Sequence, residues 1–331
     1  MNMKKIFFCI SAVLMLAAAD VCAAETVNFR EQGFSGSIIY NDKAFPGDAV
    51  FAKLSIKIAR STAKKNSQDT AAVMQLFKGE KKIDSTRFFF TNPKNRKAAS
   101  FDMAAGIPLS TWYSDSDEYS LKVTVSAAGM PDKELILPFS ILKKEFPSEL
   151  IPLDSKNTGI KKNMGAERLS QIEKLNTILE TVMPQDVYSL KPFTLPVTSK
   201  RITSGFGDRR IFEYTDKKTS TSLHYGIDYG VPTGTLVQSC AEGKVVMAEN
   251  RISTGWSVVI EHLPGLYSLY YHLDSLNVKE GQYVKQGEKL GLSGATGLAT
   301  GPHLHWEVRL NMGAVNPEFF TKDFLFQTQG E

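Results

Sequence analysis

The stretch "GPHLHWEV", residues 301–308, decides how the C-terminal half is read. Positions i and i+2 of a strand share a face. His303 and His305 therefore look into one site, while Leu304 and Trp306 face the other way. A same-face histidine pair can chelate one ion, or one ring can hold a metal while its neighbour moves protons. The chain has five histidines in 331 residues, and all of them follow Leu195.

Working outward, "HYGIDYG" supplies His224 and Asp228, a nitrogen and an oxygen donor of the kinds zinc takes. In a straight strand their Cα atoms would stand about 13 Å apart, at about 3.3 Å per residue. A shared metal needs a bend, and Gly226 is the residue expected to allow it. In "LYSLYYHLDSL" the alternation puts Leu266, Ser268, Tyr270 and His272 on one face. His262, in "VIEHLPG", sits at a strand end before a turn and reads as structural. A structural zinc is closed by four protein ligands, whereas a catalytic one keeps three and an open position. His224, Asp228, His303 and His305 could close a site, which leaves His272 unexplained; a three-ligand site leaves two histidines over. Spacing alone does not say which of the paired histidines binds metal. No HExxH occurs, so the helical glutamate-base arrangement is absent. The run "GLSGATGLATG" reads as turns, because it lacks the strand-to-helix context of a nucleotide loop. "EGQYVKQGEKLG" reads as a tight hairpin with Gly281 and Gly287 at its turns.

The rest of the chain is organised around this half. "MNMKKIFFCISAVLMLAAADVCAA" has a basic start, an apolar run of about 14 residues and small residues at Ala23 and Ala24, the pattern of a secretory signal. The run is short for a membrane span. Val21 before Cys22 argues against a lipoprotein. Cleavage leaves Cys240 as the one cysteine, so no intramolecular disulfide forms. Residues 25–145 read as β. "VFAKLSIKI" places Ala52, Leu54, Ile56 and Ile58 on one face, "YSLKVTV" Tyr119, Leu121, Val123 and Val125, and "LILPFSI" Leu135, Leu137, Phe139 and Ile141. Such short alternating strands predict an immunoglobulin-like β-sandwich. Residues 146–195 form a connector. Its helix carries Leu169, Ile172, Leu175, Leu179 and Val182 on one stripe and ends before Pro184. A formal net charge of +4 is too weak to argue for nucleic acid.

"SGFGDRR", "HYGIDYGVPTGT", the long run from "GWSVVIEH" through "GPHLHWEV" and "VNP" resemble the lysostaphin/LytM family of zinc metallopeptidases. The resemblance covers about Thr203 to Pro317, with the motifs in the family's order. It implies a mainly antiparallel, barrel-sandwich-like β domain over 196–322, followed by a tail at 323–331. It implies Zn2+ held by His224, Asp228 and His305, with His272 and His303 as the catalytic histidines. It implies an exported peptidoglycan endopeptidase, periplasmic or secreted, acting on cross-links or stem peptides, with no nucleic-acid partner and no membrane insertion after signal cleavage. The alternative is a non-catalytic wall-binding or hydrolase-activating protein on the same fold, but such relatives lose ligands and this chain fills every position.

Overall fold

The computed structural model describes residues 24–59, 70–96, 98–127 and 130–327. Of the expected signal, residues 1–23 lie outside the described residues; Ala24 begins the first strand. The protein is mainly β, with N-terminal sheets, a short helical connector and a C-terminal antiparallel sheet.

Two five-stranded sheets make the N-terminal part. The first runs Ala24–Glu31, Phe34–Asn41, Ala49–Ile58, Ser100–Pro108, Phe89–Phe90, and the second Lys43–Ala44, Lys133–Ile141, Tyr119–Ser126, Ala71–Lys78, Lys81–Arg87. The alternating faces read from the sequence are the ones that meet. Leu54 and Ile56 pack in one cluster with Leu76, Val123 and Leu137. Each strand puts one face into that core, so the two-residue period decides the packing.

The strand Ala49–Ile58 is apolar on its outer face as well near its start. Ala49 and Phe51 join the C-terminal core, together with Phe193, Phe320 and Phe324. The Phe51 ring lies 5.0 Å from Phe324, edge to face, and a Cβ at Gly106 would stand 2.5 Å from that ring. Phe324, Leu325 and Phe326, beyond the expected domain edge at 322, are buried here. A second joint is Arg209. Its guanidinium sits 3.8 Å from the Trp112 ring centre and 4.8 Å from that of Phe146. It also donates to the hydroxyl and the carbonyl of Thr111, both at 2.9 Å.

The connector holds more than a helix. Ser148–Pro152 forms a strand, parallel to Arg209–Glu213. A short helix, Ser155–Lys162, follows, capped by Asp154, whose carboxylate accepts from the Asn157 amide at 2.7 Å. The expected helix is Ala166–Glu180. Its inward stripe differs from the predicted one: Leu175, Ile178 and Leu179 pack on Met247, Val259, Tyr267 and Leu269. Leu169 is exposed, and Val182 lies past the helix end, also exposed.

The C-terminal sheet orders its strands Ile202–Ser204, Gly226–Tyr229, Leu304–Leu310, Leu266–Leu276, Gly255–Leu263, Gly243–Arg251 and Tyr283–Val284. The expected hairpin at 280–291 is not one. Tyr283–Val284 pairs with Gly243–Arg251, whereas Lys289–Ser293 pairs with Leu236–Gln238 and Leu266–Leu276. Gly281 and Gly287 do turn the chain at positive φ, +85° and +79°, but each turn hands the chain to a different neighbour. One face of this sheet packs inward around Tyr270 and Trp306, both fully buried. The other carries Tyr271 opposite His305, then Leu269 opposite Glu307 and Tyr267 opposite Arg309. The connector helix covers the far end of this second face, and the histidines occupy the near end.

Candidate metal centre

Asp228 and His305 face each other in register on neighbouring antiparallel strands. The pairing brings Asp228 Oδ1 to 2.9 Å from His305 Nδ1. His224 precedes the strand Gly226–Tyr229 and reaches in from its end. Its Nε2 lies 3.1 Å from Asp228 Oδ1 and 3.0 Å from His305 Nδ1. Gly226 matters here, for a different reason from the one expected. Its φ is not among the positive ones. A Cβ there would stand 2.4 Å from the Trp306 carbonyl oxygen and 2.8 Å from His305 Nε2. Its missing side chain is what lets the backbone lie against the His305 ring.

The hydrogen bonds fix the tautomers. His224 Nδ1 lies 2.6 Å from the Gly205 carbonyl, which can only accept, so Nδ1 carries the proton and Nε2 presents a lone pair. His305 Nε2 lies 3.2 Å from Glu307 Oε2 and donates in the same way, which turns the Nδ1 lone pair toward Asp228. Two lone pairs and a carboxylate oxygen thus converge at 2.9–3.1 Å. That arrangement needs positive charge among the three atoms. A proton on His305 supplies it: burial alone would lower this pKa, but hydrogen bonds to Asp228 and Glu307 outweigh it and raise it to about 9. A divalent ion fits better, since tetrahedral zinc ligands at about 2.0–2.1 Å from the metal stand about 3.3 Å apart. Among the described residues, His224, Asp228 and His305 form a group able to hold such an ion, and all three are buried. Arg210 donates to Asp228 Oδ2. Asp228 stays well below the usual carboxylate range: burial opposes this, and the two histidines overcome it.

His272 and His303 stand beside these three, their ring centres 4.7 Å apart. His303 precedes the strand Leu304–Leu310, bridged to Gly294, and its Nε2 is 3.8 Å from Asp228 Oδ1. His272 corrects the sequence reading. Strict alternation puts it with Tyr270 on the inward face. In the structure its backbone is left-handed, φ 62°, which breaks the alternation and turns the ring toward His303 and His305. Such a φ costs of order 1–3 kcal/mol in a non-glycine residue. Two bonds hold it: the His272 amide to Thr254 O at 2.8 Å, and Nδ1–H to Thr296 O at 2.8 Å. His303 Nδ1–H donates to Gly301 O at 2.9 Å. Both rings therefore leave Nε2 for the cleft. The His272 pKa falls to about 3, through burial first and then repulsion by His303 and His305, so the ring is neutral.

A cleft of about 300 Å³ opens over these residues, between the loop 298–303 and the connector strand, which contributes Glu149 and Ile151. Asn157 ties the short connector helix to the same loop, donating to Ala299 O at 3.3 Å. His262 lies apart, fully buried, with Nδ1–H on Glu242 O at 2.7 Å and Nε2 2.7 Å from Ser268 Oγ. The sequence reading gave no role to Arg210, Tyr271 or Glu307. Glu307 was reachable, being the next same-face position after His305; Arg210 carried no such signal.

A buried His–Asp–His cluster on an antiparallel sheet, with two further histidines over it, defines a candidate metallohydrolase centre. Residues 222–317 match the family model "Peptidase family M23", in keeping with the lysostaphin/LytM resemblance of these motifs. The peptidoglycan DD-endopeptidase ShyA of Vibrio cholerae is 43% identical over 122 residues, 37% of this chain and 28% of that protein. The DD-carboxypeptidase/endopeptidase Mpg of Neisseria meningitidis is 39% identical over 122 residues, 37% of this chain and 27% of that protein. The chain spans about a quarter to a third of the length of such curated relatives. A solved structure from Pseudomonas aeruginosa, described as a peptidase M23, superposes with a TM-score of 0.50 at 22% identity, covering 77% of this chain and 93% of that one. This last likeness shows the fold alone.

Proposed function

We propose that the protein is an exported zinc metalloendopeptidase that hydrolyses peptide bonds of peptidoglycan. The observation that carries this reading is the convergence of His224 Nε2, Asp228 Oδ1 and His305 Nδ1 beside two histidines whose Nε2 atoms face the same cleft. Relatives named for peptidoglycan endopeptidase activity support the substrate class. Held by those three atoms, a zinc ion supplies Lewis acidity toward water and toward a peptide carbonyl. His272 and His303 do the proton work. One accepts the proton of the attacking water at Nε2, and the other, once protonated, donates to the oxygen that gains charge. Their Nδ1–H bonds to backbone carbonyls keep both rings aimed while this happens. Export rests on the signal pattern of residues 1–24; among the described residues no helix is long and apolar enough to cross a membrane.

The test is mass spectrometry of products released from defined cross-linked peptidoglycan by the zinc-loaded protein. New peptide termini that vanish on chelation and in His303→Ala are expected. Intact walls with every substrate, from a folded and zinc-loaded chain, would refute the reading. N-terminal sequencing of protein recovered from the cell envelope checks the cleavage after Ala23 or Ala24.

A further inference from the structure

Resting on that reading of the site, we propose that Glu307 is a positioning residue that sets which nitrogen of His305 meets the metal. His305 has two ring nitrogens, and either can be a ligand; the partner of the other decides. Glu307 is buried, 3% exposed, and its Oε2 accepts from His305 Nε2–H at 3.2 Å. The proton is thereby committed to Nε2, and Nδ1 is left as the lone pair beside Asp228.

The surroundings show that this contact is built. His305, Glu307 and Arg309 are successive same-face positions of the strand Leu304–Leu310. Arg309 Nε donates to Glu307 Oε1, so one carboxylate oxygen is held by the arginine and the other by the histidine. Arg309 Nη1 is anchored on Met312 O at 3.0 Å, and its guanidinium lies 4.4 Å from the ring centre of Tyr225, the neighbour of His224. The His305 ring itself sits in a slot. Tyr271 stacks on it, centres 5.3 Å apart and planes at 7°, and the Gly226 backbone closes against its Nε2 edge. The slot sets the plane of the ring, and Glu307 sets where its proton goes.

The experiment measures zinc affinity by competition with a chromophoric chelator, for the wild-type chain and for Glu307→Gln, Glu307→Asp and Glu307→Ala. Near-UV circular dichroism reports the fold of each. Loss of a carboxylate behind a histidine ligand weakens metal binding by roughly 10–100-fold, and that is the loss expected for Glu307→Ala. Glu307→Asp keeps the charge but withdraws the oxygens by one methylene, so a similar loss is expected without dependence on a foldable alanine variant. Glu307→Gln still offers a carbonyl oxygen to Nε2–H and keeps most of the affinity. The d–d spectrum of the cobalt(II)-loaded protein should change in the alanine and aspartate variants and not in glutamine. A merely structural ion pair would lower stability and leave zinc affinity unmoved. Folded Glu307→Asp or Glu307→Ala binding zinc like wild type would overturn the inference, as would Glu307→Gln binding as weakly as alanine. Wild-type protein that takes no zinc would instead sink the reading of the site.

Discussion

Replacing Glu261 by Gln isolates one ionisation and its cost. Glu261 is buried, 4% exposed, on the strand Gly255–Leu263. Burial first, and then Asp186, raises its pKa from 4.5 to about 7, with Tyr267 and Lys244 opposing. The folded protein therefore keeps this proton up to about pH 7, whereas the unfolded chain loses it near 4.5. Between those values the unfolded state binds fewer protons, so stability falls as pH rises and the full cost is present above 7. The gap between 4.5 and about 7, at about 1.4 kcal/mol for each pH unit, is about 3 kcal/mol. Relaxation and water penetration around the ionised carboxylate reduce this to about 2 kcal/mol. Gln keeps an acceptor for Tyr267, whose hydroxyl lies 3.4 Å from Glu261 Oε1, and carries no such cost. Glu261→Gln is therefore expected to be more stable than wild type by about 2 kcal/mol at pH 8, with the gap closing toward pH 4.5. Urea unfolding at pH 8 and pH 5, followed by tryptophan fluorescence, measures it. His262 works in the opposite sense, since its pKa falls to about 4 by burial and it withdraws stability as pH drops through 6.5 to 4. Both proteins keep His262, so the gap between them reads the Glu261 carboxyl above pH 6.5, where His262 is neutral in the folded and unfolded states alike. A gap that stays constant with pH, or a variant less stable at pH 8, would refute the reasoning.

His303→Ala and His272→Ala are each expected to lower kcat/KM by roughly 10²–10⁴-fold with zinc affinity little changed, measured by product release and chelator competition on the same samples. Cys240 is fully buried, with its thiol pushed up to about 12, so a chain beginning at Glu25 should give no reaction with a disulfide reagent when folded and one equivalent after unfolding. Arg209→Ala removes two hydrogen bonds and two ring contacts at the joint with the N-terminal sheets. It is expected to cost about 2–4 kcal/mol, read as a lower urea midpoint, with His272 and His303 untouched.

The sandwich strands were legible because each has one buried and one solvated face, and the period of two records that directly. Leu121, Val123 and Val125 are buried and the residues between them are not. The pairing of His303 with His305 was legible for the same reason. His272 was not, because its turn off the inward face toward His303 depends on a left-handed backbone that no glycine or asparagine announces. The connector strand Ser148–Pro152 was not legible either: its residues are mostly exposed, so no apolar alternation marks it. It is a strand because Arg209–Glu213 offers an edge to pair with. The helix stripe failed at its ends, where Leu169 and Val182 continue the spacing but find no sheet beneath them. The 280–291 segment shows the limit of turn signals. Both glycines turn the chain, but the partner of each strand is a property of the sheet, not of the turn.

His224 and His305 offer opposite nitrogens, Nε2 and Nδ1, to the same oxygen of Asp228, and the topology explains why. His305 lies directly across from Asp228 in the strand register. Antiparallel neighbours stand about 4.5–5.5 Å apart at Cα, so the nitrogen nearest its backbone is within reach of a short carboxylate side chain there, once the proton is held on the far one. His224 approaches from beyond the strand end and must use the far nitrogen to cover the distance. Each choice then leaves the other nitrogen pointing back at protein: toward the Gly205 carbonyl for His224 and toward Glu307 for His305. A backbone carbonyl suffices for the first, because the loop 205–208 closes against that ring, with the Gly205 amide bound to Asp208 at 2.7 Å. No backbone acceptor is in register for the second, since the neighbouring carbonyls along Leu304–Leu310 are engaged in the sheet. A side-chain acceptor two residues on is the position from which the strand can supply one, and a carboxylate there requires the Arg309 that accompanies it.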